Sequence, residues 1–133
     1  MKRSTGPMPA SLPASSTVIV HRLIDLIEKS YAQRITLASL SKDLRRKPEP
    51  LGRLFRRVEG VTVHEYITGV RLEHAARYLC DGLKIEAVAL SVGYRSKKDL
   101  YRQFIRRFGV TPEVYRRRGG DRHKSGASDP GAR

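Results

Sequence analysis

The chain has 133 residues, with 27 Lys and Arg against 13 Asp and Glu, and a formal net charge of +14 at pH 7. This length suits one domain, or two very small ones that share a core. The charge is typical of nucleic-acid-binding proteins, although ribosomal-type proteins and cationic membrane peptides share it. The single cysteine, Cys80, excludes an internal disulfide framework and a multi-cysteine zinc site.

The two ends of the chain have a composition unlike the middle. Residues 1–16 are rich in Ser, Pro and small residues, and residues 119–133 in Gly, Arg and Ser, so we expect a disordered arm and a disordered basic tail. The arm has no continuous apolar stretch and does not read as a signal peptide. No segment approaches the ~20 apolar residues of a membrane span. We therefore expect a cytoplasmic protein without membrane contact.

Between these ends the apolar periodicity predicts an all-α fold of seven helices. Three of them form a first helix-turn-helix subdomain over residues 17–61. Its first helix is expected over Thr17–Ala32, and the second follows Thr36, a suitable N-cap. The third is expected over Pro48–Glu59, with Gly60 as its C-terminal cap.

A long linker helix is expected over residues 62–81, followed by a second helix-turn-helix subdomain over residues 82–118. In that subdomain a helix around Ile85–Ser91 precedes a turn and a helix that runs from the N-cap Ser96 to Phe108. Pro112 suits the first turn of a final short helix that ends near residue 118.

The two subdomains contain a sequence repeat. Leu51–Tyr66 and Leu100–Tyr115 both read L-x-R-x-F-x-R-x-x-G-V-T-x-x-x-Y. In each copy the Leu and Phe fall on one helical face, and basic residues cover the other. Any basic amphipathic helix needs a charged outer face, but the same stripe twice, each behind a short helix and a tight turn, favours a pair of DNA-recognition helices.

The N-terminal end of a recognition helix enters the major groove. There Arg53 and Arg102 could bridge guanine O6 and N7, and Glu49 could accept from cytosine N4. Basic residues around them would hold phosphates, which fixes register without reading sequence. The predicted phosphate contacts are Arg45, Arg46, Lys47, Arg56, Arg57, Arg95, Arg106 and Arg107.

These residues resemble the DNA-binding domain of the AraC family of bacterial transcription regulators, of the stand-alone type. The matching motifs are A-L-S-V-G-Y-R-S (Ala89–Ser96), L-Y-R-Q-F-I-R-R-F-G-V-T-P (Leu100–Pro112), Tyr115–Arg116 and, in the first subdomain, L-G-R-L-F-R-R (Leu51–Arg57). The resemblance covers about residues 18–118 and implies two recognition helices in successive major grooves of DNA in the bacterial nucleoid. The base contacts that it implies are Glu49, Gly52, Arg53, Lys97, Lys98 and Arg102.

The first subdomain departs from the family pattern. Ser41 replaces a small Ala, Arg45 a Gly in the turn, and Arg46 a buried apolar residue. Lys47 replaces the Ser or Thr N-cap, which costs about 1 kcal/mol of capping. Pro50 adds a second ring to the first helical turn. We therefore expect phosphate binding from this turn and sequence discrimination mainly from the second subdomain.

Three functions compete to explain this pattern. The first is a sequence-specific transcription regulator, an activator by the family's common role. The second is an interaction protein with weak or non-specific DNA binding that contacts RNA polymerase or another regulator. The third is an enzyme, because some DNA-repair alkyl-acceptor proteins carry a similar domain. An enzyme of that kind needs a reactive cysteine, and Cys80 lies in an apolar stripe without an activating neighbour, so we expect no enzyme activity.

Ligands other than DNA are not indicated by the sequence. His21, His64, His74 and His123 show no metal-ligand spacing, so we expect no metal and no cofactor. The residues before the first helix are too few for a pocket that senses a small molecule, so we expect either a stand-alone regulator or the isolated end of a longer one. Since each apolar stripe is expected to be used internally, the chain is predicted to be a monomer.

Overall fold

The structure is a computed structural model, and it describes residues 14–124. Within that range it contains seven α-helices and no strand, which confirms the predicted fold class. None of these helices is long and apolar enough to cross a membrane. In chain order they are α1 (Ala14–Ser30), α2 (Leu37–Asp43), α3 (Pro48–Glu59), α4 (Val63–Cys80), α5 (Ile85–Ser91), α6 (Lys97–Phe108) and α7 (Pro112–Lys124).

Helix α7 is longer than the sequence suggested. It continues to Lys124, so the first residues of the predicted tail, 119–124, are helical. Gly119 is buried in this helix, and a Cβ built on it would lie 3.2 Å from Cε2 of Tyr115. The missing side chain therefore lets the helix pack against the tyrosine ring, and this glycine does not act as a breaker. The rest of the predicted tail, residues 125–133, lies outside the described residues.

Helix α1 differs from the prediction at both ends. It begins at Ala14, directly after the last proline of the predicted arm, so three residues of that arm are helical; residues 1–13 lie outside the described range. It ends at Ser30 because the next carbonyl groups bind a side chain instead of continuing the helix. Arg71 donates from Nε to the carbonyl of Tyr31 at 2.7 Å and from Nη2 to that of Gln33 at 2.8 Å.

The described residues form two compact units. Unit 1 comprises residues 14–29 and 35–65, and unit 2 comprises residues 30–34 and 66–124. This division differs from the expected boundaries in two ways. Most of α4, predicted as a separate linker over residues 62–81, belongs to unit 2. Residues 30–34 also belong to unit 2, because Arg71 binds their carbonyl groups.

Unit 1 is held by apolar faces of α1, α2 and α3. The side chains of α1 that are buried recur at helical spacing, and Leu40, Leu51 and Phe55 are buried in the other two helices. Helix α2 begins directly after its N-cap Thr36, as predicted. The Ser39 N–H donates to the Thr36 hydroxyl oxygen at 3.1 Å, and the Thr36 N–H donates to the Ser39 hydroxyl oxygen at 2.9 Å. This reciprocal cap satisfies two main-chain donors at the start of a short helix.

Unit 2 has a continuous hydrophobic core. Its buried members are Leu72, Ala75, Ala76, Leu79, Val88, Ala89, Val92, Leu100 and Phe104, from α4, α5 and α6. The rings of Phe104 and Tyr115 meet edge to face at 5.3 Å, which packs α7 onto α6. Arg116 donates to the carbonyl of Leu83, so the terminal Tyr115–Arg116 motif fixes the connection between α4 and α5.

Candidate nucleic-acid interface

Helices α3 and α6 are built alike, as the sequence repeat predicts. Each has 12 residues, and each buries the Leu and the Phe of the repeat, Leu51 and Phe55 in α3 and Leu100 and Phe104 in α6. Each ends at a glycine in the left-handed region, with φ of 85° in α3 and 78° in α6. The repeat therefore encodes two amphipathic helices whose basic faces are directed away from the apolar residues.

The turns before these helices share one backbone pattern. The N–H groups of Arg46 and Tyr94 each donate to a carbonyl of the preceding helix at 2.9 Å. In unit 2 the turn contains Gly93 with φ of 105°, and in unit 1 Arg45 adopts φ of 58° at the same place. Arg45 is the one non-glycine residue with positive φ in the described range. A left-handed conformation costs about 1–2 kcal/mol for such a residue, so unit 1 keeps the turn at the expense of backbone strain.

The starts of α3 and α6 are capped differently. In α6 the Asp99 N–H donates to the Ser96 hydroxyl oxygen at 3.3 Å, as predicted. In α3 the N-cap Lys47 makes no side-chain cap hydrogen bond. However, Pro48 and Pro50 have no N–H to satisfy. Pro50 stands at the third helical position, the position of Asp99 in α6, so it removes the donor that a serine would have capped, and the expected capping penalty is smaller than the substitution alone suggests.

The outer face of α6 consists of Lys97, Lys98, Tyr101, Arg102 and Ile105. Three of these are cations, and all three are exposed. Arg102 lies 3.8 Å from Asp99 in a loose pair in which both side chains keep contact with water. Exposed pairs of this kind contribute about 0–1 kcal/mol, so the guanidinium can leave Asp99 for another partner. The structure thus brings the predicted second-unit base contacts together on one accessible surface.

The outer face of α3 agrees with the prediction except at one residue. Glu49, Arg53, Arg56 and Arg57 are exposed. Gly52 is half-buried and faces α2, where a Cβ would lie 2.9 Å from Cδ2 of Leu37. Its role in the structure is the close approach of α2 and α3, and it presents no side chain to the outside. We therefore remove Gly52 from the predicted base contacts.

Basic residues also line the turns that lead into these helices. In unit 1 three consecutive cations, Arg45, Arg46 and Lys47, are exposed immediately before α3. In unit 2 the corresponding turn has one exposed cation, Arg95. The turn of unit 1 therefore carries more positive charge than the turn of unit 2, while its helix lacks the side-chain cap.

Arg107 differs from the other predicted phosphate contacts. Its Nη2 atom lies 3.3 Å from Oε2 of Glu73 in α4, and its guanidinium lies 5.9 Å from the ring centroid of Phe108. The side chain contacts α4 within unit 2, but both partners of the pair remain exposed, so the pair is as weak as that of Arg102 with Asp99 and Arg107 stays a predicted phosphate contact. In the repeat Arg107 aligns with Val58, which is half-buried in unit 1.

Cys80 is half-buried, and burial raises the pKa of its thiol, with the neighbouring Asp81 carboxylate acting in the same direction and Arg116 opposing them. A raised pKa leaves the thiol protonated near neutral pH, which is the reverse of the setting that activates a cysteine nucleophile. Among residues 14–124, no group of three or more His, Cys, Asp and Glu side chains is arranged to hold a metal ion.

A family model described as a helix-turn-helix domain matches residues 40–118. A probable AraC family transcriptional regulator from Rhodopseudomonas palustris has the same fold. Its TM-score is 0.66 with 25% identity, over 74% of this chain and 94% of that one. The chain belongs to the AraC family. The predicted resemblance to the AraC family is therefore confirmed.

A curated relative and a further solved structure are also similar to this chain. The melibiose operon regulatory protein of Escherichia coli is 29% identical over 99 residues, which are 74% of this chain and 33% of that protein. The chain thus spans about a third of the length of that curated relative. The DNA-binding domain of AdpA, a global transcriptional factor solved in complex with a target DNA, has a TM-score of 0.74 at 21% identity, over 80% of this chain and 97% of that one. At this identity the likeness shows the shared fold.

Proposed function

We propose that this AraC-family chain is a sequence-specific DNA-binding transcription regulator whose helices α3 and α6 enter successive major grooves. The observation that carries the proposal is the outer face of α6, where Lys97, Lys98 and Arg102 are exposed at the N-terminal end of a capped helix. This is the end of a recognition helix that contacts base edges. Arginine there can bridge guanine O6 and N7.

The net charge of +14 supports a polyanionic partner. Neutralising phosphates releases condensed counterions, which supplies much of the affinity of DNA-binding proteins. The fold shared with AdpA, whose domain was solved with DNA, agrees with this partner.

The two units have different roles in the proposal. Unit 2 discriminates between sequences, because its turn contains glycine, its recognition helix is capped and its outer face is rich in donors. Unit 1 contributes mainly affinity, because three exposed cations precede α3 and a phosphate contact requires charge more than exact placement. In this proposal Glu49 is the remaining base contact of unit 1, and Arg53 acts mainly as a phosphate contact.

We further propose that the chain activates transcription, which is the common role in the AraC family. RNA polymerase is its proposed protein partner. The test is transcription in vitro from a promoter that carries the selected site. A rise in transcript with added protein is expected, and a fall would indicate repression instead.

The DNA proposal is tested by selecting duplexes from a random-sequence library with the purified chain. We expect an enriched motif whose footprint extends over about two helical turns. Lys97, Lys98 and Arg102 replaced together by Ala should abolish enrichment. A matched control replaces three exposed cations outside the interface, Lys29, Arg34 and Arg77, and removes the same charge. No enriched motif with the wild type, or equal loss in both triple variants, contradicts sequence-specific reading.

A further inference from the structure

One side chain of the outer face of α6 makes a hydrogen bond to another helix. The Tyr101 hydroxyl donates to Oε2 of Glu113, which lies in the first turn of α7. Glu113 is exposed, and the bond holds its carboxylate beside the recognition helix. Glu113 is not among the interface residues that the sequence predicts.

The charges around this pair show that the carboxylate is ionised and acts on its neighbours. The hydrogen bond from Tyr101 lowers the pKa of Glu113, as do the Thr111 hydroxyl and the positive charge of Lys97, against a smaller opposing effect of burial. Burial and the Glu113 carboxylate raise the pKa of Tyr101 to about 12, so the phenol keeps its proton. Lys97, a proposed base contact, therefore lies in the field of a fixed negative charge.

The equivalent loop of unit 1 uses its carboxylate in another way. There Glu65 Oε1 accepts from the Thr62 N–H at 2.9 Å, and the Glu65 N–H donates to the Thr62 hydroxyl oxygen at 3.0 Å. This pair caps its own helix, α4. In unit 2 Val114 takes the place of Glu65 in the repeat, and its N–H donates to the Thr111 hydroxyl oxygen at 3.2 Å. The carboxylate stands one residue earlier, at Glu113, where it accepts from Tyr101. By the repeat, the position of Tyr101 is occupied in unit 1 by Gly52, so α3 has no such partner.

We propose that Glu113, through its bond to Tyr101, is a positioning residue that sets the sequence specificity of α6. The inference rests on the proposed DNA-binding function and deepens it. Fixing Tyr101 orders an aromatic side chain of the interface before DNA arrives, which lowers the entropy cost of binding a matching site.

The carboxylate also acts against non-specific binding. Binding to random DNA depends mostly on phosphates, and a fixed negative charge at the interface repels them. At a matching site α6 approaches base edges, which carry no net charge. Part of the specificity thus comes from a repulsive group that weakens binding to DNA without the matching site.

The test measures the dissociation constants of the full chain for the selected duplex and for a random duplex, and takes their ratio as the discrimination. Glu113→Gln removes the charge and keeps an acceptor for Tyr101. We expect it to tighten binding to random DNA about 3- to 5-fold and to change binding to the selected site less than about 1.2-fold. Tyr101→Phe keeps the ring and removes the bond. We expect it to weaken binding to the selected site about 3-fold, with little effect on random DNA.

The matched control is Glu86→Gln, the same change at an exposed position of α5. It should shift both dissociation constants by equal factors. Thermal unfolding verifies that all variants are folded. A discrimination within 2-fold of wild type in either Glu113→Gln or Tyr101→Phe overturns the inference. If the wild type itself binds both duplexes equally, the proposed function fails instead, so the two failures are distinguishable.

Discussion

A Cβ atom built on Gly93 would lie 2.9 Å from the carbonyl oxygen of Tyr31. The same Cβ would lie 2.9 Å from Nε of Arg71, which donates to that oxygen. The turn of the second helix-turn-helix therefore packs directly against the segment that follows α1. The contact explains why residues 30–34 belong to unit 2.

We predict that Gly93→Ala destabilises the chain by about 2–4 kcal/mol. About 1–2 kcal/mol comes from the left-handed backbone, and the rest from the clash with Tyr31, which is main chain and cannot rotate away. Gly60→Ala is the control, because Gly60 also has positive φ, 85°, and nothing lies within 4 Å of its Cβ position. It should lose only the backbone part. Urea unfolding of both variants measures the difference, and equal losses would contradict the close contact.

The equivalent residue of unit 1 gives the opposite prediction. Arg45→Gly should stabilise the chain by about 1 kcal/mol, since glycine adopts the φ of 58° without strain. The gain should appear as a rise in Tm of about 3–6 °C. Arg46→Gly, at a position without positive φ, should instead lower the stability by several tenths of a kcal/mol. Both variants should lose affinity for DNA by similar factors, because each removes one exposed cation.

The repeated positions show how much of this arrangement the sequence could predict. The helices, the caps at Thr36 and Ser96 and the glycine ends follow from periodicity and local hydrogen bonding, and the structure confirms them. Gly52 was assigned to the outer face of α3 because a helical wheel assigns faces without showing which neighbouring helix approaches. In the structure Leu37 of α2 lies where a side chain of residue 52 would be.

The pairings that the sequence did not predict all join residues far apart in the chain. Arg71 binds the carbonyl of Tyr31, and Arg116 binds that of Leu83. Main-chain carbonyl acceptors have no sequence signature, so such bonds are visible only once the fold brings the groups together. The bond between Tyr101 and Glu113 joins two side chains, and it also depends on how the fold places α7 beside α6.

Binding to DNA should depend strongly on salt. With about six to eight phosphate contacts, the slope of log K against log salt concentration is expected to be about −5 to −7. Fluorescence anisotropy titrations on a random duplex between 50 and 200 mM salt, roughly the range in which counterion release is measured, provide the slope. A slope shallower than about −2 would remove the duplex-DNA interpretation.

The two arginines of the repeat should behave differently. Arg102→Ala is expected to cost about 1–3 kcal/mol on the selected site through a lost bidentate base contact, and much less on random DNA. Arg53→Ala should weaken both DNAs by similar factors, because unit 1 contributes mainly phosphate binding. Measuring both variants on both duplexes decides between the units. If Arg53→Ala abolishes the preference for the selected site while Arg102→Ala weakens both DNAs equally, α3 and not α6 discriminates between sequences.

Tyr94 offers a prediction about stability, because its hydroxyl oxygen is buried without a hydrogen-bond partner among the described residues. Its ring packs on the core of unit 2 and lies 5.6 Å from the guanidinium carbon of Arg71. Leaving a buried hydroxyl unsatisfied costs about 1–3 kcal/mol. Tyr94→Phe keeps the ring and removes the unsatisfied group, so we expect the free energy of unfolding to rise by about 1 kcal/mol.

The same substitution should change the response of stability to alkaline pH. Burial raises the pKa of Tyr94 above its ordinary value of 10.0, against the opposing effect of Arg71. A raised pKa in the folded state means that the wild type loses stability as the pH rises above about 10, where the unfolded tyrosine ionises first. Tyr94→Phe removes this loss, so its advantage over the wild type should grow with pH in that range.

Tyr101→Phe, which breaks a bond to Glu113, should in contrast lower stability at neutral pH. Urea unfolding at neutral and alkaline pH compares the three chains, and a destabilised Tyr94→Phe would show that the hydroxyl has a partner in solution.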